Sequence, residues 1–314
     1  MNLFLLLLGV AGFLVLAVLL TAYICYRIAF FASRKEEENP DEYAIPEGEI
    51  YEPHRDTMVA WMKEVRAMPH DDIFVRSFDG LTLWGSYYEY APGAPIEILF
   101  HGYRGSAERD MCGGVQRCHS LGHSALIVDQ RACGRSGGRI ISFGINESRD
   151  CLTWIDCLLA RFGPDTRIIL SGISMGAATV VMAAGRGLPA NVIAILADCG
   201  YTSPKEIIQK VIRDMKLPPA LAYPFVKLGA KLYGRFDPEE LSSLEIAARC
   251  PVPIIFIHGE NDAFVPCDMS RACHAANPGG TKLFTVPGAG HGLSYLVDRE
   301  GYLDNARRFF SPLE

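Results

Sequence analysis

Three short motifs in this chain carry the residue types of acyl-transfer chemistry. Gly172-Ile-Ser-Met-Gly176 places Ser174 between two glycines. A strand-like run, 167–171, precedes it and a helix-like run, 177–185, follows. The serine therefore falls at a strand-to-helix turn too tight for side chains at the glycines, with its hydroxyl projecting and a helix N-terminus aimed at whatever it attacks. A hydroxyl is a poor nucleophile near neutral pH and needs a base; an imidazole, with an ordinary pKa of ~6.5, suits that task. Of the eight histidines, His291 stands in Gly288-Ala-Gly-His-Gly292, between the last apolar strand and a C-terminal helix-like stretch, 302–310. Such a loop can turn the ring back over the C-terminal edge of a parallel sheet. His54, His70, His119, His123 and His274 fall in polar or helical surroundings and read as surface or packing residues.

The base in turn needs an acid to hold its tautomer. Asp262 follows the strand-like run 254–257 in His258-Gly-Glu-Asn-Asp-Ala-Phe-Val-Pro266 and is the leading candidate. Asp198 also ends a strand, in Leu196-Ala-Asp-Cys-Gly200, and is the rival acid; its alternative reading is a structural carboxylate, as is that of Asp129. A developing oxyanion needs two backbone donors, one on the residue after the nucleophile, Met175. The second is expected at Tyr103, in His101-Gly-Tyr-Arg-Gly105, with His101 holding that loop rather than reacting.

The elements that must position these residues are legible as short apolar runs. Residues 72–77 and 81–90 flank Asp79-Gly80, a hairpin pair, and give an antiparallel start. Runs at 96–100, 125–128, 167–171, 192–197, 254–257 and 282–286 alternate with amphipathic stretches. Strands apolar on both sides and separated by helices predict a parallel sheet covered on both faces. Between 201 and 250 the strand rhythm stops; Ile207, Ile208, Val211, Ile212 and Met215 share a helical face, Pro218-Pro219 interrupts, and 221–233 resumes. This reads as a helical cap inserted after the sixth strand. Its Leu217, Tyr223, Phe225, Leu228, Leu232, Tyr233 and Phe236 offer either an apolar acyl site or the cap's own packing face.

From Leu3 to Ile24 the chain carries no charge, long enough as a helix to cross a ~30 Å hydrocarbon layer. A cleaved signal would show a basic start, a shorter apolar run and a small-residue cleavage site, and none is evident, so a membrane anchor is expected. Arg27, Arg34 and Lys35 follow the span, which places the body in the cytoplasm. The chain thus divides into an anchor (1–32), a Glu- and Pro-rich linker (33–55) and one catalytic-sized domain (56–314) containing the cap. At 56–68, Met58, Val59, Met62, Val65 and Met68 recur at helical spacing, for a short helix that packs on the domain or lies near the bilayer. Ten scattered cysteines, with no CxxC pair and no zinc-like spacing, read as small buried hydrophobes of a reducing compartment. A net charge of -6 and no nucleic-acid motif exclude a phosphate-backbone partner.

HGYRG, GISMG, HGENDAFVP and GAGHG, in this chain order, resemble bacterial α/β-hydrolases of the serine aminopeptidase-like and lysophospholipase-like group, and among them the membrane-anchored hydrolases of Gram-positive bacteria. The resemblance covers the body after the anchor. It implies the α/β-hydrolase fold, an eight-stranded mostly parallel sheet, and a Ser174, Asp262, His291 order of triad residues. One departure stands at Asp129-Gln-Arg-Ala-Cys-Gly-Arg-Ser136, where Ala132 replaces the first glycine of the family's D-x-R-G-x-G-x-S and restricts the loop. The expected reaction is acyl transfer through an acyl-Ser174 intermediate to water, on an ester of acyl or lipid-like character, without metal or organic cofactor. Thioester or peptide cleavage, transfer to an alcohol, or a non-catalytic ligand-binding homologue share the same residues.

Overall fold

The computed structural model describes residues 3–33 and 42–313. Arg34 and Lys35, two of the three basic residues on which the expected orientation rests, lie outside the described residues, as does the acidic run 36–38. The first helix, α1, spans Leu3–Ala29, and α2 spans Arg55–Ala67. Strands β1 (Asp71–Arg76), β2 (Thr82–Tyr88) and β3 (Ile96–Phe100) precede helices α3 (Ala107–Asp110) and α4 (Gly114–Leu121). There follow β4 (Ser124–Asp129), α5 (Glu147–Phe162), β5 (Ile168–Ile173), α6 (Met175–Ala184) and β6 (Val192–Asp198). The cap holds α7 (Pro204–Asp214), α8 (Pro219–Gly229) running on into a π-helical turn (Ala230–Gly234), and α9 (Ser243–Ala247). The chain closes with β7 (Ile254–Gly259), α10 (Asp268–Ala276), β8 (Thr281–Val286), α11 (Ser294–Val297) and α12 (Arg299–Phe310).

The eight strands form one sheet in the order β1-β2-β4-β3-β5-β6-β7-β8. β2 runs antiparallel to both β1 and β4, and the remaining pairs are parallel. This is the mostly parallel sheet with an antiparallel start that the apolar runs predicted. Alternation along β5 shows why both faces are buried: Ile168 and Leu170 pack with Trp154 and Val180 on one side, while Ile169 packs with Leu196, Ile257 and Tyr302 on the other. Parallel register brings the ends of β3, β5, β6 and β7 to one edge, with Phe100 beside Gly172, Ile173 beside Asp198 and Asp198 beside Ile257. Every loop singled out in the sequence leaves the sheet at that edge.

Residues Phe4 to Thr21 of α1 are exposed and carry no charge, and a mean hydropathy of 2.8 suits a membrane span by length and composition. At about 1.5 Å per residue those 18 residues cover about 27 Å. The last two turns are different. Ala22, Tyr26 and Phe30 are buried, Phe30 completely, and α1 packs along α8. A Cβ on Gly229 would lie 2.3 Å from the Ala22 carbonyl oxygen, so the two helices touch backbone to backbone there. Phe30 stands edge-on to Phe143 and Phe236 at 5.7 and 5.0 Å. Beyond it, the Ala32 N–H donates to Arg139 O and the Ile141 N–H to Phe30 O, which stitches the chain onto the domain.

The helix α2 packs on the domain through Met58, Met62 and Val65. The described part of the expected linker is also packed: Ile45 is buried with Met58 and Met62, and Tyr43 and Tyr51 lie against them. Apolar residues interspersed among the Glu and Pro of that stretch, Tyr43, Ile45 and Tyr51, account for its docking.

Candidate active site

The turn between β5 and α6 is built by close backbone approach. A Cβ on Gly176 would sit 1.9 Å from Phe100 O, and one on Gly172 would sit 2.3 Å from Gly176 C, so neither position admits a side chain. Ser174 itself takes φ 55° and ψ -116°, a sparsely populated conformation that costs about 1–3 kcal/mol and is kept only where surroundings over-determine it. Here the Ser174 N–H donates to Asp198 O at 2.8 Å and Ser174 O accepts from the Ala178 N–H at 3.1 Å. The hydroxyl is left free to point over the sheet edge.

The loop after β8 brings His291 to that hydroxyl. Its Nε2 lies 2.9 Å from Ser174 Oγ, and its Nδ1 lies 2.7 Å from Asp262 Oδ2. Since an ionised carboxylate only accepts, Nδ1 carries the proton and Nε2 faces the serine as an acceptor. Burial alone would raise the Asp262 carboxyl, but hydrogen bonds from His258, His291 and the Val265 N–H outweigh it and hold it at about 2. The Phe264 and Val265 N–H groups both donate to its Oδ1. A fixed, ionised acid thus stands behind an imidazole placed to take a proton from Ser174. Asp198 lies elsewhere: it is buried, accepts from Ser294 Oγ, and its carboxyl is pushed up to about 6 by burial. Asp129 is also structural, receiving the N–H groups of Ala107 and Arg135.

The loop after β3 lies against Ser174, with Gly102 next to its side chain. His101 is fully buried; its Nε2 accepts from the Gln130 N–H, so its Nδ1–H donates to Gly102 O at 2.7 Å. It holds the loop, as expected, and burial keeps it below the ordinary imidazole range. Neither the Tyr103 N–H nor the Met175 N–H, the two expected oxyanion donors, bonds to another described residue. For Met175 this follows from its place at the first position of α6, where no intrahelical acceptor exists. A cavity of about 730 Å³ opens over Ser174 and His291.

The walls of that cavity differ from one of the two expectations for the cap. None of Leu217, Tyr223, Phe225, Leu228, Leu232, Tyr233 and Phe236 lines it; Tyr103, Arg109, Phe264, Met58 and the segment 46–51 do. The reason is α1. Tyr233 packs on Tyr23 and Tyr26 and donates to Leu19 O, and Phe236 packs on Phe30, so these two residues serve the contact with α1 and the turn that follows it.

Three contributors lay outside the sequence reading. His258 is fully buried behind the acid, its Nε2 2.9 Å from Val265 O and 3.2 Å from Asp262 Oδ2, its Nδ1 2.7 Å from Ser270 Oγ. Asp110 Oδ2 accepts from the Gly102 N–H, and Asp110 is paired to Arg109. Tyr51 donates to His291 O. Only His258 carried a signal, standing four residues before Asp262 in the same motif. Cys199 lies within 4.8 Å of Asp262 and His291, the geometry of a three-ligand metal site. Its donor set fits poorly, because burial raises the thiol well above its ordinary range and both His291 nitrogens are engaged.

A family model described as "Alpha/beta hydrolase family" matches residues 98–304. The uncharacterized protein YqkD of Bacillus subtilis (strain 168) is 26% identical over 194 residues, 62% of this chain and 64% of that protein, so the match spans less than two thirds of the relative's length. Among solved structures, the Pyrococcus furiosus esterase Pf2001 is similar with a TM-score of 0.63 at 19% identity, covering 88% of this chain and 99% of that one. Est1E from Butyrivibrio proteoclasticus, solved with ferulic acid bound, is similar with a TM-score of 0.59 at 20% identity, covering 77% and 98%. At these identities the likeness to solved structures is one of fold.

Proposed function

The chain belongs to the alpha/beta hydrolase family, and from that premise we propose that it is a membrane-anchored serine hydrolase of carboxylic esters with acyl or lipid-like character. The observation that carries this reading is His291, with one ring nitrogen 2.9 Å from Ser174 Oγ and the other 2.7 Å from Asp262 Oδ2. In the proposed reaction Ser174 Oγ attacks the ester carbonyl carbon while His291 Nε2 takes its proton. The carbonyl oxygen becomes an oxyanion received by the Tyr103 and Met175 N–H groups. Collapse breaks the carbon–oxygen bond to the alcohol, which leaves with the proton from His291. Water, deprotonated by the same nitrogen, then attacks the acyl-Ser174 carbonyl; collapse breaks the bond from that carbon to Ser174 Oγ, which regains its proton from His291 as the acid is released. Asp262 stabilises the imidazolium formed in each half.

Support for a lipid-like substrate comes from where the site stands relative to the anchor. Tyr103 lines the cavity and its hydroxyl donates to Ala29 O, five residues past Ile24, or about 7–8 Å of helix rise beyond the uncharged span. A substrate held at the bilayer surface is thus within short reach of Ser174. For the body, a cytoplasmic position is the orientation that Arg27, Arg34 and Lys35 favour.

Labelling with a fluorophosphonate, in wild type and Ser174→Ala, tests the chemistry. Wild type is expected to be labelled and the variant not; persistent labelling of the variant would remove Ser174 from the reaction. A panel of esters of graded acyl length should show kcat/KM rising with chain length, and a preference for the shortest esters would remove the lipid-like assignment. Protease accessibility of the body in intact cells reports the orientation.

A further inference from the structure

The last turn of a helix leaves carbonyl oxygens without intrahelical donors, and something else must supply them. At the end of α1 the donors come from two adjacent residues of the loop that follows β3. Tyr103 Oη donates to Ala29 O at 2.7 Å, and Arg104 Nη2 donates to Ile28 O at 2.8 Å and to Phe31 O at 3.1 Å. The Tyr103 ring also stacks on Phe143 at 4.9 Å, the same ring that Phe30 meets edge-on. Arg104 holds φ 55°, a left-handed conformation that a side chain rarely adopts. Gly102 is fixed from the domain, through His101 and Asp110. The Arg104 side chain and the Tyr103 hydroxyl are held from the end of the membrane helix, and the Tyr103 ring rests on Phe143 as well.

We infer that the C-terminal turn of α1 is a positioning element of the active site: by holding the Tyr103 and Arg104 side chains, it aims the Tyr103 N–H at the developing oxyanion. A flexible tether would need none of these contacts, and its removal would alter location without altering chemistry. Here the anchor is built into the loop that faces the nucleophile. The inference rests on the proposed reading in which Ser174 attacks and Tyr103 N–H receives the oxyanion.

The test uses the full-length protein in lipid nanodiscs, with Tyr103→Phe, Arg104→Ala, Arg104→Lys and the double variant Tyr103→Phe/Arg104→Ala, each titrated for active sites with a fluorophosphonate. Losing an oxyanion donor outright costs about 10²–10³ in kcat, so a loosened donor is expected to cost roughly 5–50-fold per active site, with the double variant at the upper end. KM for a soluble short-chain ester should stay within about twofold, while affinity for a trifluoromethyl ketone analogue falls in parallel with kcat. Arg104→Lys, which keeps a donor for the helix carbonyls, should recover most of the loss. Variants that lower only the thermal midpoint, leaving kcat per titrated site and analogue affinity at the wild-type level, would overturn the inference. Failure of the underlying reading looks different: Ser174→Ala would then retain turnover.

Discussion

The Tyr51 hydroxyl donates to the His291 carbonyl oxygen at 3.0 Å across 240 positions of sequence. The loop that carries the candidate base is thereby tied to the segment that leads into the domain, and both border the cavity over Ser174. Burial pushes the Tyr51 phenol above its ordinary range, so it remains a donor. Replacing Tyr51 by Phe removes one neutral hydrogen bond, with an expected cost of about 1 kcal/mol in stability. Loosening the His291 loop should also lower kcat/KM by up to about tenfold. Steady-state kinetics beside a denaturant curve measures both; an unchanged kcat/KM would leave the bond a purely structural one.

His258 sits where a histidine could be mistaken for a rival base, yet it is sealed behind Asp262. Changing it to Ala leaves Ser270 Oγ and Val265 O without their His258 partner in a buried site and takes one of the two contacts from Asp262 Oδ2. The expected loss is about 2–4 kcal/mol of stability and, through a less firmly held acid, roughly 10–100-fold in kcat. Asp262→Asn should cost more, about 10³–10⁴ in kcat, because the amide favours the wrong imidazole tautomer. Equal kcat losses in the two variants would contradict the assignment of His258 to a supporting place.

Asp198 and Asp262 contribute to pH-dependent stability with opposite signs. Burial pushes Asp198 up to about 6 from 3.8, so between those values the folded protein holds a proton that the unfolded chain releases. Stability from this group therefore falls as pH rises from about 4 to about 6, by on the order of 3 kcal/mol. Asp262 is held at about 2; its contribution is present above its unfolded value and fades only as pH falls through about 2. Urea unfolding of wild type and Asp198→Asn at pH 4 and pH 7 isolates the first effect. The variant should gain on wild type across that interval, and a difference independent of pH would refute the buried, protonated Asp198.

Ala132 occupies φ 63°, the left-handed region in which a Cβ costs roughly 1–2 kcal/mol. Its N–H donates to Gly137 O, which keeps the turn closed. Ala132→Gly relieves that strain at an entropic cost of roughly 0.5–1 kcal/mol. A net gain of up to about 1 kcal/mol is expected from chemical denaturation, with kcat unchanged because the loop does not border Ser174. A loss of stability would mean that the Ala132 methyl packing against the core outweighs its backbone strain.

Much of the sheet was legible because its strands are short apolar runs bounded by turn residues, and all eight lie within two residues of where those runs predict. The grouping of Ser174, Asp262 and His291 was legible for a related reason: each follows a strand of one parallel sheet, and such loops must converge on its C-terminal edge. Tyr51 and Asp110 carried no signal of that kind. Neither belongs to a motif, and each reaches the site through one bond, to His291 O and from the Gly102 N–H, that no local pattern marks.

The apolar residues of the cap mark the limit most clearly. Tyr233 and Phe236 had to cover something apolar, and their spacing could not say whether that was a substrate or another helix. By itself the sequence determined the chemistry-bearing residue types, their order and the strand-to-helix turn that presents Ser174, because these depend on neighbours within a few positions. Only the tertiary structure decided that α1 continues past its uncharged span into the domain, that Tyr233 and Phe236 are spent on that contact, and that Tyr103 meets Ala29 74 positions away. Such contacts follow from how helices and loops pack in three dimensions, and no local spacing encodes them.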